Sequence, residues 1–221
     1  MDRRRFLSGV SVAMTLGSAI ELLRPSSACG ATSIVGPTMI PPFGVVMLRE
    51  VWVQRPTRVK QDCPYWCWAA STSMIFACND HPTNQMRIVE RVFNQPLCIE
   101  AQSAILDGVL STNWLDDRGQ EFRSVITGLY DLQNHINSIN NSILVNELQN
   151  NRPLLYANTH HAMVIVGLKY FDTPFGPSVT EVTVLDPSPS SPAIHPLSAA
   201  ELYPVHLGGQ MQFLASVQVT S

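Results

Sequence analysis

Gln61-Asp62-Cys63-Pro64-Tyr65-Trp66-Cys67-Trp68-Ala69-Ala70-Ser71-Thr72-Ser73-Met74-Ile75-Phe76-Ala77-Cys78 is the stretch on which the fold turns. Cys67, Ala70, Ser71, Met74 and Cys78 recur at helical spacing, with small residues between them. That pattern predicts a helix buried on most sides, not one with a single apolar stripe. A cysteine opening such a helix has the positive end of the helix dipole at its sulfur, which favours the nucleophilic thiolate. Gln61 lies six residues earlier. Its side-chain amide, with the Cys67 backbone N–H, can stabilise a developing oxyanion.

Working outward, residues 45–53 are β-branched and apolar enough for a strand, and residues 29–43 read as a loose lead-in rich in Gly, Pro, Ser and Thr. Helical patterns are expected over 85–93, 101–110, 122–130 and 134–149. The texture then changes to strands over 153–156, 162–171 and 181–185. Between the last two, Thr173-Pro174-Phe175-Gly176-Pro177 predicts a turn joining an antiparallel pair. Ser198-Ala199-Ala200-Glu201 has the spacing of a capping box, and 211–219 alternates as a closing strand. Helices first and an antiparallel sheet second make an α+β layout. No glycine-rich phosphate loop and no βαβ alternation point to a nucleotide fold.

His161 precedes the apolar strand Ala162-Met163-Val164-Ile165-Val166-Gly167, which would hold its ring rigidly. Asp186 ends the next strand, Val182-Thr183-Val184-Leu185-Asp186-Pro187. On an antiparallel pair the start of one strand lies beside the end of the other. Asp186 can therefore accept a hydrogen bond from His161 and fix its tautomer. Cys67 with His161 is the pairing needed for thiolate attack and for protonation of a leaving amine.

These three stretches resemble the papain-like cysteine peptidases. The Gln61–Ala70 segment is similar to their glutamine and Cys-Trp segment. His161–Gly167 and Val182–Pro187 resemble the histidine strand and the Asp-Pro strand of the bacterial branch, which includes plant-pathogen effector and bacteriocin-leader peptidases. The similarity spans roughly residues 45–220. It implies a papain-like fold, with Cys67 on a buried helix of an N-terminal helical half and His161 and Asp186 on a C-terminal sheet. It also implies hydrolysis of peptide bonds through an acyl-enzyme, with Cys67, His161, Asp186 and Gln61 as site residues, and no metal or cofactor. Here His160 stands where the family often has Gly or Ser, and Ser188-Pro189-Ser190-Ser191-Pro192 replaces a glycine-rich stretch.

The extreme N-terminus reads differently. Arg3-Arg4-Arg5-Phe6-Leu7, the mildly apolar run Gly9 to Ile20, Arg24 and the small residues Ser26-Ser27-Ala28 form the parts of an export signal. The arginine order resembles the bacterial twin-arginine signal. The expected organisation is a signal peptide over 1–28, a lead-in over 29–44 and a peptidase domain over 45–221. Cleavage after Ala28 would put Cys29 first, and Ser26 is not the large aliphatic residue that lipoprotein signals usually place there. The expected location is the periplasm or the exterior of a bacterium, with no membrane attachment unless Cys29 is lipidated.

The 14 Lys+Arg and 17 Asp+Glu residues give a formal charge of -3. No basic face is available for nucleic acid, so the expected partner is a protein or peptide substrate. In an oxidising compartment Cys78 and Cys98 can form a staple, with Cys29 and Cys63 offering other pairings; the alternative is that the thiols stay reduced. His81, His135, His195 and His206 carry no motif and read as surface or packing residues. Two other functions fit the residues: a catalytically idle papain-fold binding module, and a Cys-His acyltransferase, transglutaminase or amidase.

Overall fold

The computed structural model describes residues 30–40 and 44–221, so residues 1–28, where a signal peptide is expected, and Cys29 lie outside the described residues. The quoted stretch forms helix α1, Cys67–Cys78, in which every residue from Trp68 to Phe76 is buried. Ala69, Ala70, Ser71 and Ser73 keep its surface narrow, which lets it sit against a sheet. The Ser71 hydroxyl donates to the main-chain oxygen of Ala162 at 3.1 Å, tying the helix to the strand that follows His161.

Among the described residues, ten strands pair antiparallel to form one sheet. In chain order they are β1 (Ala31–Ile40), β2 (Gly44–Trp52), β3 (Asn113–Leu115), β4 (Glu121–Asp131), β5 (Ile136–Asn137), β6 (Leu154–Asn158), β7 (Ala162–Thr173), β8 (Gly176–Leu185), β9 (Ile194–Pro196) and β10 (Met211–Thr220). The main path runs β1-β2-β7-β6-β10-β4-β3, and β8 takes the other edge of β7 with β9 beyond it. The remaining helices are α2 (Gln85–Phe93), α3 (Ser103–Leu110), α4 (Asn141–Gln149) and the short α5 (Ala199–Leu202).

Strand parity shows that helices cover both faces of the sheet. Ala162 and Phe213 line a hollow with Cys67 of α1, whereas Ile165 and Leu214 line one with Leu144 of α4. Residues an odd number apart on a strand face opposite ways, so α1 and α4 lie on opposite faces. A strand covered on both sides reads as a continuous apolar run, as Ala162 to Leu168 does, all of it buried. Gly167 is required there by a close approach: a Cβ on it would come within 2.6 Å of the Trp52 ring on β2.

The α+β class stands, but helices and strands are not divided along the chain. Residues 31–40, expected as a loose lead-in, form β1, paired with β2 as a hairpin that joins the sheet beside β7. Residues 122–130, expected as helix, belong to β4. Phe122 and Ser124 face inward while Arg123 and Val125 face outward, and the β-branched run Val125-Ile126-Thr127 fits a pleat better than a helix. The helix expected over 134–149 begins only at Asn141. His135 takes a left-handed turn, Ile136–Asn137 pair back on β4, and the Asn140 side chain accepts the Ile143 N–H as N-cap. The capping box of α5 is present, with Glu201 accepting the Ser198 N–H at 2.8 Å.

Candidate active site

Strand pairing places Val164 opposite Leu185, so the residue before β7 and the residue after β8 meet at one end of the sheet. There His161 Nε2 and Asp186 Oδ1 lie 2.6 Å apart. Asp186 is buried, with its side chain 4% exposed, while that of His161 is 23% exposed. With Nε2 turned to the carboxylate, Nδ1 is the ring nitrogen left for Cys67. A cleft of about 410 Å³ opens at this point, lined by Cys67, His161, Trp68, Ser103, Asn158 and Phe213 among others. A larger hollow of about 560 Å³ lies across the sheet and includes neither Cys67 nor His161 in its lining.

The two titratable partners are displaced in opposite directions. Burial works against a charged His161 ring, but the hydrogen bonds and charges of Asp186 and the Cys67 sulfur outweigh it and lift the imidazole to about 9. Burial also works against the Asp186 carboxylate. His161, the Ser188 N–H and His195 outweigh it and hold the acid down to about 2. An imidazolium beside a sulfur and a buried carboxylate is the charge arrangement that stabilises a thiolate.

The supporting contacts come from several loops. Asn158 Oδ1 accepts the N–H groups of His160 and His161 at 2.9 and 2.8 Å, and its amide nitrogen donates to Glu201 Oε1 at 3.0 Å. His160 is thus in a turn, not an extended strand, and it lines the same cleft; the Asp186 carboxylate is paired with His161. Arg58 Nε donates to the Asp186 main-chain oxygen at 2.7 Å, and Arg58 Nη2 reaches the carbonyls of Ser188 and Ser191. The Gln61 N–H donates to the Pro187 carbonyl at 3.0 Å, so the loop before α1 is tied to the turn after β8. Gln85, buried on α2, holds that loop through the Lys60 carbonyl and Asp62.

Gln61 itself is turned away from a free oxyanion-binding pose. Its amide nitrogen donates to the carbonyls of Cys63 and Pro64 at 3.1 and 2.8 Å, and its Oε1 is buried without a partner. No side chain caps the N-terminus of α1, so the first-turn amides are left to other acceptors.

The disulfide joins Cys63 to Cys98, correcting the expected Cys78–Cys98 staple; Cys78 and Cys67 are free thiols among the described residues. The reason is geometric. Cys63 lies in the loop before α1, against which the strap around Cys98 is already laid. Trp66 Nε1 donates to the Leu97 carbonyl at 2.8 Å and Trp68 Nε1 to that of Ile99 at 3.2 Å. Cys78 sits at the opposite end of the helix.

A family model described as the papain-like cysteine protease AvrRpt2 matches residues 50–198 of the chain. The chain belongs to that family. It is therefore a member of a papain-like cysteine protease family, whose substrates are proteins. No curated protein gives a match to the chain. The matched span runs from β2 to just before α5, so it contains Gln61, Cys67, His161 and Asp186 but not the closing strand β10.

Arg58 and His195 are among the residues at this papain-like site that the sequence reading does not mark, as are Asn158 and Gln85. Arg58 had no motif to mark it. His195, read as a surface or packing residue, instead places Nε2 3.2 Å from Asp186 Oδ2. Its only signal was position, since a short strand must return beside β8 to bring it there. Of the other histidines, His81 is buried against Asp116 and the Phe122 ring, and His206 meets the Tyr130 hydroxyl at 3.0 Å.

Proposed function

We propose that this chain is an exported cysteine peptidase that works through Cys67, His161 and Asp186. The observation that carries the reading is the 2.6 Å contact of His161 Nε2 with buried Asp186, beside a cysteine at the start of a buried helix. In the resting state the thiolate of Cys67 faces the His161 imidazolium. The sulfur attacks the scissile carbonyl carbon, and the carbonyl π electrons move to oxygen. As the tetrahedral intermediate collapses, the C–N bond breaks and His161 Nδ1–H gives its proton to the leaving amine. The resulting thioester is attacked by water, whose proton passes to the now neutral His161; the C–S bond then breaks, releasing the carboxylic acid and restoring the Cys67 thiolate beside the His161 imidazolium. Asp186 keeps the ring in the tautomer that presents Nδ1 to the sulfur.

The oxyanion would be met by the backbone N–H groups opening α1. For Gln61 to join them, its amide must release one of the two carbonyls it now serves. Residues 1–28 serve as the leader that carries the folded chain out of the cytoplasm.

Cys67→Ala tests the reading. Hydrolysis of a denatured protein substrate should vanish while the melting transition stays within a few degrees of the parent. Full hydrolysis in the variant would remove Cys67 from the mechanism, and incorporation of an added amine in place of hydrolysis would make the enzyme an acyltransferase.

A further inference from the structure

We propose that His195 is a positioning residue of this site, holding the second oxygen of Asp186 so that the carboxylate stays aimed at His161. The inference rests on the catalytic reading of Cys67, His161 and Asp186 given above.

The backbone of Asp186 is already fixed from two sides. Its N–H donates to the Ala193 carbonyl at 2.9 Å, and its carbonyl accepts from Arg58 Nε at 2.7 Å. The freedom that remains is rotation of the carboxylate about its side-chain bonds. Oδ1 takes both His161 Nε2 and the Ser188 N–H, at 2.6 and 2.7 Å. With both bonds on one oxygen, the group can still swing about that point. His195 Nε2, 3.2 Å from Oδ2, takes the other oxygen and closes that motion.

The ring is delivered by the sheet. His195 pairs with Val184 on β8, two residues before Asp186, and its Nδ1 lies 3.2 Å from the Pro196 carbonyl. With Nε2 as the N–H tautomer the ring donates to Oδ2, and a side chain carried on a paired strand is a better anchor than a loop residue. The other charged group acting at His195 is Glu201 of α5, which also bonds Asn158 beneath His161.

The test reads the ring of His161 through the thiol and needs no substrate. The full chain is treated with iodoacetate across pH 5–10, and alkylation at Cys67 is followed by mass spectrometry, separately from Cys78. The reagent is an anion, so its reaction with the thiolate slows when His161 loses its charge. In the parent that alkaline fall should lie near the elevated His161 value, about 9. His195→Ala should move it down by about half a pH unit or more, since a loosened carboxylate supports the imidazolium less well. His195→Gln, whose amide can still donate to Oδ2, should restore the parent profile. An unmoved or upward-moved fall in His195→Ala, or a glutamine variant that melts like the parent yet profiles like alanine, would overturn the proposal. Loss of the peptidase reading would show separately, as hydrolysis persisting in Cys67→Ala.

Discussion

His161 and Asp186 share one hydrogen bond, and its energy depends on pH from both ends. A ring lifted to about 9 from its ordinary value near 6.5 contributes stability that is complete below about pH 6.5 and is lost as pH rises through about 9. A carboxylate held down to about 2 contributes stability that is complete above about pH 4 and is lost as pH falls toward 2. The two statements describe the same contact and do not add. The melting temperature of the parent minus that of Asp186→Asn should therefore be greatest between about pH 4 and 6.5 and shrink on either side. A flat difference across pH 3–10 would show that the pair does not titrate as described. Cys67→Ala should lower the His161 value, because the sulfur is one of the groups lifting it; an NMR titration of the ring would measure the shift. Cys67, His161 and Asp186 could be proposed from the sequence because each sits at the end of a regular element with its own pattern. Arg58 and His195 were not, since each acts across the chain on a residue more than eight positions away without a local pattern.

Elements of this fold are legible where local chemistry and packing agree. The bounds of α1 and α2 follow from helical spacing, and α2 also has an Asn84 N-cap and a left-handed Asn94 at its end. The region 122–130 misleads because Phe122, Leu129 and Tyr130 allow a helical reading, against which the β-branched Val125-Ile126-Thr127 and the partner strands β10 and β3 select the pleat. Two predictions belong at this scale. Gly167→Ala should destabilise the protein by about 1–3 kcal/mol in urea unfolding, because the methyl meets the Trp52 ring between paired strands. Cys63→Ser with Cys98→Ser should cost about 3–4 kcal/mol, the loop-closure value for residues 35 apart, whereas Cys78→Ser should leave the midpoint nearly unchanged.

Across the whole molecule the sheet is assembled from distant parts of the chain: the β1–β2 hairpin docks on β7, β10 docks on β6, and the middle strands β3 and β4 dock on β10. Such pairings leave no local trace, which is why the division into a helical half and a sheet half was too simple. At this scale too belongs the export signal proposed for residues 1–28. Replacing Arg3 and Arg4 by lysine in a fusion of residues 1–28 to a folded reporter should abolish export, and the exported parent should begin at Cys29 when its N-terminus is sequenced; export unaffected by the lysines would dismiss a twin-arginine route. The Cys63–Cys98 bond has one more consequence. Cys98 is exposed and Cys67 is partly so, and the strap that carries Cys98 is bonded at Leu97 and Ile99 to Trp66 and Trp68, the two neighbours of Cys67. An added dithiol that rescues oxidised Cys67 will, at higher dose, unlace the strap beside it. Turnover plotted against reductant should climb, crest and decline, and the declining arm should be missing in a chain whose strap has no bond left to lose.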